Sequence, residues 1–142
     1  MIPEKMTAPP VDIRNVDEFL RAVGQWNLYD MEVRRVRYDA SRVGTGTLEL
    51  SLYLGTDYIR RRPPGATPTE YEFVFQFDRT ESLFIDDFAG AIIGEHEFAS
   101  ATTPSGASII SVSLTSVCGG DIRFVCSSIS VVSVRELPDH AT

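Results

Sequence analysis

Alternation of apolar and polar residues dominates the last two thirds of the chain. In TLELSLYL, every second residue from Leu48 to Leu54 is leucine and most of the residues between are polar, the period of a β-strand with one buried face. YEFVFQFD alternates in the same way with aromatic residues, from Tyr71 to Phe77. Strand patterns of varying strength, which predict about seven strands in all, occur in EVRRVRYD, TLELSLYL, YEFVFQFD, the short SLFI, GEHEFASA, SIISVSLTS, DIRFVCSS and ISVVSVREL.

One helix is predicted near the start of the chain, in NVDEFLRAVG. Its apolar residues from Val16 to Val23 recur at i, i+3, i+4 and i+7 and form a single stripe. Asn15 is the predicted N-cap, and Glu18 follows three residues later, as in a capping box. Gly24 can adopt the left-handed conformation that ends a helix. Because the helix is short, it needs a sheet to pack against.

The short connections between the predicted strands favour antiparallel pairing, since parallel strands need long crossovers. The predicted fold is therefore mainly β, a curved antiparallel sheet or sandwich of about seven strands with one short N-terminal helix. Periodicity leaves a sandwich and a partly open barrel as alternatives. The length of 142 residues fits a single domain. We expect residues 1–10 to form an extended arm and residues 138–142 a flexible tail.

The turn in VCGGDI predicts the register of one hairpin. A three-residue loop over residues 118–120 pairs Leu114 with Phe124 and Val112 with Cys126, which brings the apolar residues together. A two-residue loop would separate them. Three-residue hairpin loops need a residue in the left-handed conformation, and glycine supplies it.

The same geometry predicts that both cysteines are free thiols. Cys118 in the turn and Cys126 along the returning strand would be roughly 16 Å apart, whereas a disulfide needs Cα atoms within about 7 Å. We expect Cys126 to be a small core residue and Cys118 to be partly exposed. Beyond them the alternation changes parity at residues 127–128, which predicts a bulge or bend.

Composition and charge narrow the class of protein. Hydrophobic residues make up 43% of the chain and charged residues 23%, as in globular domains. No apolar run approaches the roughly 18 residues of a transmembrane helix, and MIPEKMTAPP does not resemble a signal peptide, so we expect a cytoplasmic protein. The formal net charge of −7 disfavours nucleic acid and anionic membranes as partners and favours a basic one.

The candidate chemistry is sparse. The sequence has no nucleophile elbow, phosphate loop, dinucleotide motif or zinc spacing, so we expect no enzyme activity, no cofactor and no metal. The carboxylate pairs Asp30/Glu32 and Asp86/Asp87 are the remaining candidates for acid–base or metal chemistry, with turn formation as the alternative. IRRRPPG, residues 59–65, is the one basic run and is either a solvated loop or an anion-binding segment.

Three segments together resemble immunity protein family 50 of bacterial polymorphic-toxin systems. FLRAVGQWNLYDMEVRRVRYD is similar to the family's opening, in which a tryptophan precedes an aromatic-histidine-aspartate-x-glutamate-valine stretch. FVFQFDRTESLFIDDFAGAIIGEHEF resembles its middle, and GGDIRFVCSSISVVSVREL its ending. The resemblance spans most of residues 19–137. One departure is Tyr29, at a position where the family often has histidine.

The resemblance implies an immunity protein that binds and neutralises a cognate toxin with a basic surface. The alternative is a small-molecule-binding β module or small enzyme, with a pocket lined by YEFVFQF and the carboxylates. In WNLYDMEV we expect Trp26 to pack beneath the helix–strand corner and Val33 to enter the core. Exposed turns carry function disproportionately. The predicted partner-binding residues are therefore Tyr29 as an aromatic anchor and the carboxylates of Asp30, Glu32, Asp86 and Asp87.

Overall fold

The computed structural model describes residues 8–42, 44–55, 70–86 and 91–137. The prediction of a mainly β, antiparallel fold with one short N-terminal helix is confirmed. The described elements are helix α1 (Val16–Val23) and strands β1 (Glu32–Arg42), β2 (Thr45–Leu54), β3 (Tyr71–Asp86), β4 (Ile93–Thr102), β5 (Ser108–Ser116), β6 (Asp121–Cys126) and β7 (Ser128–Glu136).

Helix α1 starts and ends where the sequence predicts, but its predicted capping box is wrong. Asn15 stands at the N-cap position with φ 60° and ψ 30°, and its side chain makes no capping hydrogen bond. A side-chain cap needs an extended N-cap residue, whereas Asn15 is left-handed. The chain turns sharply here because Arg14 is still hydrogen-bonded to β7, and asparagine tolerates that conformation. At the other end, Gly24 has φ 96° and donates its N–H to the Leu20 carbonyl, as predicted.

The long strand β3 organises the sheet. Its first half lies between β2 and β7, and its second half pairs with β6. The strand order along the main path is β1-β2-β3-β6-β5-β4, with β7 also paired to β3. YEFVFQFD and SLFI, predicted as separate strands, are therefore one strand. Positive φ angles at Arg79 and Ser82 mark a change in register within it, which lets one strand serve both halves of the sheet.

Backbone hydrogen bonds join the two edges of the sheet where β1 and β4 begin. The Asp30 N–H donates to the Ile93 carbonyl, and the Ile93 N–H donates to the Met31 carbonyl, both at 2.9 Å. The Val33 N–H donates to the Ala91 carbonyl at 2.8 Å. These bonds hold the residues around the start of β1 against the residues around the start of β4, about sixty positions farther along the chain.

The core consists of buried side chains on the inner face of the curved sheet, together with residues of α1 and of the segments that flank it. The alternating leucines of β2 and phenylalanines of β3 that the sequence assigned to one face are buried, from Leu48 to Leu54 and from Phe73 to Phe77. Phe19 of α1 is fully buried and lies 4.7 Å from the Phe73 ring, centroid to centroid. The helix therefore packs on the sheet through the central residue of its apolar stripe.

The β5–β6 hairpin has the predicted three-residue loop with a left-handed glycine, but one position earlier. The Ser116 N–H donates to the Gly120 carbonyl at 2.7 Å, so these two residues close the hairpin and residues 117–119 form its loop. Gly119 has φ 109°. The Ser116 hydroxyl accepts the Cys118 N–H at 2.9 Å, a local bond that helps to fix the loop.

The predicted residue pairs in this hairpin are therefore wrong. Leu114 pairs with Ile122 and Val112 pairs with Phe124. Each residue of β5 pairs with a β6 residue two positions earlier than predicted, so the side chains keep their parity and the apolar residues still face the core. Burial alone could not distinguish these two registers, and the Ser116 turn decides between them.

The bend at residues 127–128 and the free cysteines are confirmed. Ser127 separates β6 from β7 and donates its N–H to the Asp78 carbonyl at 2.9 Å. Cys126 is buried and Cys118 is exposed, and both are free thiols. Burial, followed by the charge of Asp78, raises the pKa of Cys126 to about 12.

Candidate functional site

The predicted candidate Tyr29 lies beside the edge strand β4. Its side chain is 39% exposed, and its ring lies 4.8 Å from the His96 ring, centroid to centroid. The Tyr29 N–H donates to the Asn27 side-chain oxygen at 2.8 Å, and the Leu28 N–H donates to His96 Nε2 at 3.3 Å. The loop that carries Tyr29 is thus held to β4 by side-chain as well as backbone bonds.

Trp26 anchors this corner from inside, as the sequence predicts. It is buried, with its ring 5.5 Å from the Phe19 ring and 5.2 Å from the Phe98 ring, centroid to centroid. Val33 is fully buried as well. In WNLYDMEV, Trp26 and Val33 therefore pack in the core, whereas Tyr29 lies on the surface.

His96 connects the core to the surface. Burial lowers the pKa of His96 below its ordinary value of 6.5, so the imidazole is neutral at pH 7. A neutral ring can accept the Leu28 N–H at Nε2, whereas an imidazolium could not. The ring also contacts Trp26, edge to face, with the centroids 6.0 Å apart.

The strand register places Asp86 in the same cross-strand row as two acidic residues of β4 and β6. Asp86 pairs with Asp121, Asp121 with Thr115, and Thr115 with Glu95. Directly paired residues of antiparallel strands lie on one face. This is the outer face, because the residues between them point into the core. At about 4.8 Å per strand, the row runs roughly 14 Å from Asp86 to Glu95.

We call this outer surface of β4, β5, β6 and the second half of β3 the acidic face. Glu97, two residues beyond Glu95, extends it along β4. Arg123, the arginine that the register assigns to this face, pairs its guanidinium with Asp121 at 3.4 Å and lies 4.6 Å from the centroid of the exposed Phe84 ring. The charged residues that the register assigns to this face are Glu81, Asp86, Glu95, Glu97, Asp121 and Arg123.

Glu32 belongs to a different environment. Its carboxylate pairs with Arg34 at 3.0 Å, and the Arg34 guanidinium lies 3.7 Å from the centroid of the Tyr53 ring. The Glu32 hydrogen bond raises the pKa of Arg34, and burial followed by a hydrogen bond to Glu70 raises that of Tyr53. Glu32 thus stands on the outer surface of the β1–β2 pair with its own cation.

Asp30 is the turn residue of the corner. It has φ 70°, a conformation that aspartate tolerates better than most residues, and its N–H bonds to β4. Asp87, the basic run at residues 59–65, residues 1–7 of the predicted arm and the predicted tail at residues 138–142 lie outside the described residues. Of the five predicted partner-binding residues, the structure places Asp86 on the acidic face and Tyr29 at a surface depression that Glu95 of that face also lines, whereas Glu32 lies elsewhere.

The described residues offer little support for the alternative of a small-molecule pocket or for a metal site. Phe73, Phe75 and Phe77, proposed as pocket walls, are fully buried against the rest of the core. Within residues 8–42, 44–55, 70–86 and 91–137, no cluster of three or more histidine, cysteine or acidic side chains could hold a metal ion. The described helix is too short to cross a membrane.

Comparisons of this chain with protein-family models, with curated proteins and with solved structures found no match.

Sequence reasoning missed Glu95, Glu97, Asp121 and His96 as members of the candidate surface. A signal was present in GEHEFASA, where two glutamates alternate with His96 and Phe98 and so define an acidic side of a strand. Their proximity to Tyr29 depends on the backbone bonds between β1 and β4, which no local pattern reveals.

Proposed function

We propose that this chain is an immunity protein of the bacterial cytoplasm that binds and neutralises a cognate toxin by protein–protein contact. The observation that carries the proposal is the acidic face, which gathers five carboxylates and one guanidinium on one side of the sheet. The family resemblance of three segments of the chain supplies the class of partner.

Charge supports this proposal through the rate of association. An inhibitor must engage its toxin before the toxin acts, so fast encounter is an advantage. A surface of one sign steers an oppositely charged partner and raises the association rate by an order of magnitude or more at low salt. The acidic face would do this for a toxin with a basic surface.

Exposed aromatic side chains also support the proposed function, because they can contribute to the affinity for a partner. Tyr29 and Phe84 are each partly exposed beside carboxylates of the acidic face, and tyrosine is enriched among residues that dominate interface energetics. The Arg123 guanidinium that lies over Phe84 keeps this part of the surface amphipathic rather than purely charged.

The test begins with the reading frame next to this gene, because toxin and immunity genes of such systems are adjacent. The neighbouring protein should be toxic when expressed alone and harmless when co-expressed with this chain, and the two purified proteins should form a complex. A neighbouring toxin that neither binds this chain nor is inhibited by it would contradict the proposal.

A matched control separates binding from general effects of expression. A variant with Asp86, Glu95 and Asp121 changed to the corresponding amides should fold normally by circular dichroism yet protect less well. If that variant protects as well as the natural chain, the toxin contacts another surface.

A further inference from the structure

A depression of about 240 Å³ opens beside β4 at one end of the acidic face. Small-molecule sites usually measure about 300–1,000 Å³, so this space suits a single side chain better than a metabolite. It is lined by Tyr29, Glu95, His96, Glu97, Ser113 and Thr115.

The walls of the depression have a definite chemistry. Glu95 and Glu97 stand two residues apart on one strand, about 7 Å between Cα atoms, with Thr115 and Ser113 opposite them on β5. Tyr29 adds a partly exposed aromatic ring, which packs beside the His96 ring at 4.8 Å between centroids. Carboxylates, hydroxyls and an aromatic ring are groups that together recognise a cation with several N–H donors.

The charge in the depression is uncompensated within the described part of the chain. Neither Glu95 nor Glu97 forms an ion pair with a described residue, in contrast to Asp121, which has Arg123. His96 adds no positive charge, because it is neutral while it accepts the Leu28 N–H. Two carboxylates thus face one small space with no cation among its lining residues.

We propose that this depression is the receptor for an arginine side chain of the toxin. The planar guanidinium would stack on the Tyr29 ring and donate hydrogen bonds to Glu95 and Glu97. Arginine suits the site better than lysine because its fork of N–H donors can reach both carboxylates while its flat face meets the ring. The identity of the partner rests on the proposed function, whereas the preference for a guanidinium rests on the lining residues alone.

The first experiment uses the purified chain without any toxin. Methylguanidinium is titrated into the ¹⁵N-labelled protein at millimolar concentrations while amide shifts are recorded, with urea as the uncharged analogue of similar shape. We expect saturable shifts at Tyr29, Glu97 and Thr115 with methylguanidinium and none with urea. Absent shifts, or equal shifts with urea, would overturn the proposal.

Two double variants of equal net charge test whether methylguanidinium binding depends on Glu95 and Glu97 or only on the total charge. The double variant Glu95→Gln/Glu97→Gln should weaken methylguanidinium binding at least tenfold. Asp39→Asn/Glu49→Gln removes the same charge from the outer face of the β1–β2 pair and should change methylguanidinium binding less than about twofold. Equal losses in both double variants would overturn the proposal, because they would indicate a diffuse effect of net charge.

The second experiment uses the toxin from the neighbouring reading frame and separates the two proposals. A toxin that binds the natural chain and the Glu95→Gln/Glu97→Gln variant equally well overturns the arginine receptor and leaves the immunity function standing. A tenfold or greater loss of affinity, reproduced by changing one toxin arginine to methionine and not additive with it, supports the receptor. If no toxin binds while methylguanidinium does, the proposed function fails and the cation site remains.

Discussion

The two halves of the sheet share strand β3 and a common core, but their outer faces differ in the balance between carboxylates and guanidiniums. On β1, β2, β7 and the first half of β3, five carboxylates meet four guanidiniums, and short ion pairs join Arg34 to Glu32 and Arg37 to Asp39 at 3.0 Å. We call this the balanced face. The register assigns to it Glu32, Arg35, Arg37, Asp39, Glu49, Glu72, Asp78 and Arg135, and Arg34 joins them through its contacts with Glu32 and Tyr53.

The acidic face has five carboxylates as well, but only one guanidinium among the residues that the register assigns to it. The difference therefore lies in the placement of arginines and not in the number of acids. Compensated charge keeps a surface soluble without a long-range field, whereas uncompensated charge steers partners at a cost in self-repulsion. This contrast makes the acidic face the better candidate for partner binding.

The largest expected effect on stability comes from a substitution in the core that the two halves of the sheet share. Phe19→Ala removes the helix side chain that packs on Phe73 and Phe75, and it should lower the free energy of unfolding by about 3–5 kcal/mol. Val132→Ala, at a site 47% exposed, should change it by less than about 0.5 kcal/mol. Urea denaturation followed by circular dichroism measures both. Similar small losses would show that the helix does not brace the sheet.

A smaller effect is confined to the acidic half. Gly119→Ala places a Cβ at φ 109° and should cost about 1–2 kcal/mol, because this conformation strains residues that have a side chain. Val117→Ala, in the same loop and 60% exposed, is the control and should be nearly neutral. A neutral Gly119→Ala would mean that the loop is not held in the left-handed form.

The next prediction concerns pH and the loop that carries Tyr29. His96 has its pKa lowered by burial, so the unfolded chain takes up a proton more readily than the folded one below about pH 6.5. The free energy of unfolding should therefore fall as pH decreases from 6.5 towards 5. His96→Gln keeps a hydrogen-bond acceptor for the Leu28 N–H and should flatten this slope. An identical slope in the variant would assign it to other groups.

The smallest effect tests the balanced face. Glu72→Gln breaks the pair with Arg135, whose nitrogen lies 2.6 Å from the carboxylate in an exposed setting. Exposed pairs of this kind contribute about 0.2–1 kcal/mol, so unfolding should become easier by no more than that amount. The difference should shrink further in high salt. A loss well above this range would show that the pair is structural.

Local pattern is sufficient for most of the elements and for their buried faces, although it divides β3 into two strands. The alternation from Leu48 to Leu54, the stripe of α1 and the glycine that ends it at Gly24 all depend on near neighbours in sequence. The capping box failed for a long-range reason. The bonds of Arg14 to β7 force Asn15 into a left-handed turn, and no window around the helix contains β7.

The candidate site shows the same division. Tyr29 and Asp86 were recognisable as exposed polar or aromatic turn residues, but their connection runs through Asp121 and Glu95 on two other strands. Sequence periodicity identifies which residues point outward. It does not identify which outward residues become neighbours, because that depends on strand order and register.

We expect the placement of negative charge on the surface, and not the total charge, to determine how fast the proposed toxin partner associates. This expectation is tested by the association rate of the neighbouring toxin with two variants of equal net charge. One is Asp86→Asn/Glu95→Gln/Asp121→Asn on the acidic face, and the other is Asp39→Asn/Glu49→Gln/Glu72→Gln on the balanced face. Stopped-flow measurements over a range of salt concentrations compare them.

The acidic-face variant should associate about tenfold more slowly at low salt and show a flatter salt dependence, whereas the balanced-face variant should stay within about twofold of the natural chain. Equal slowing in both variants, or slowing in the balanced-face variant alone, would show that the acidic face does not steer the partner.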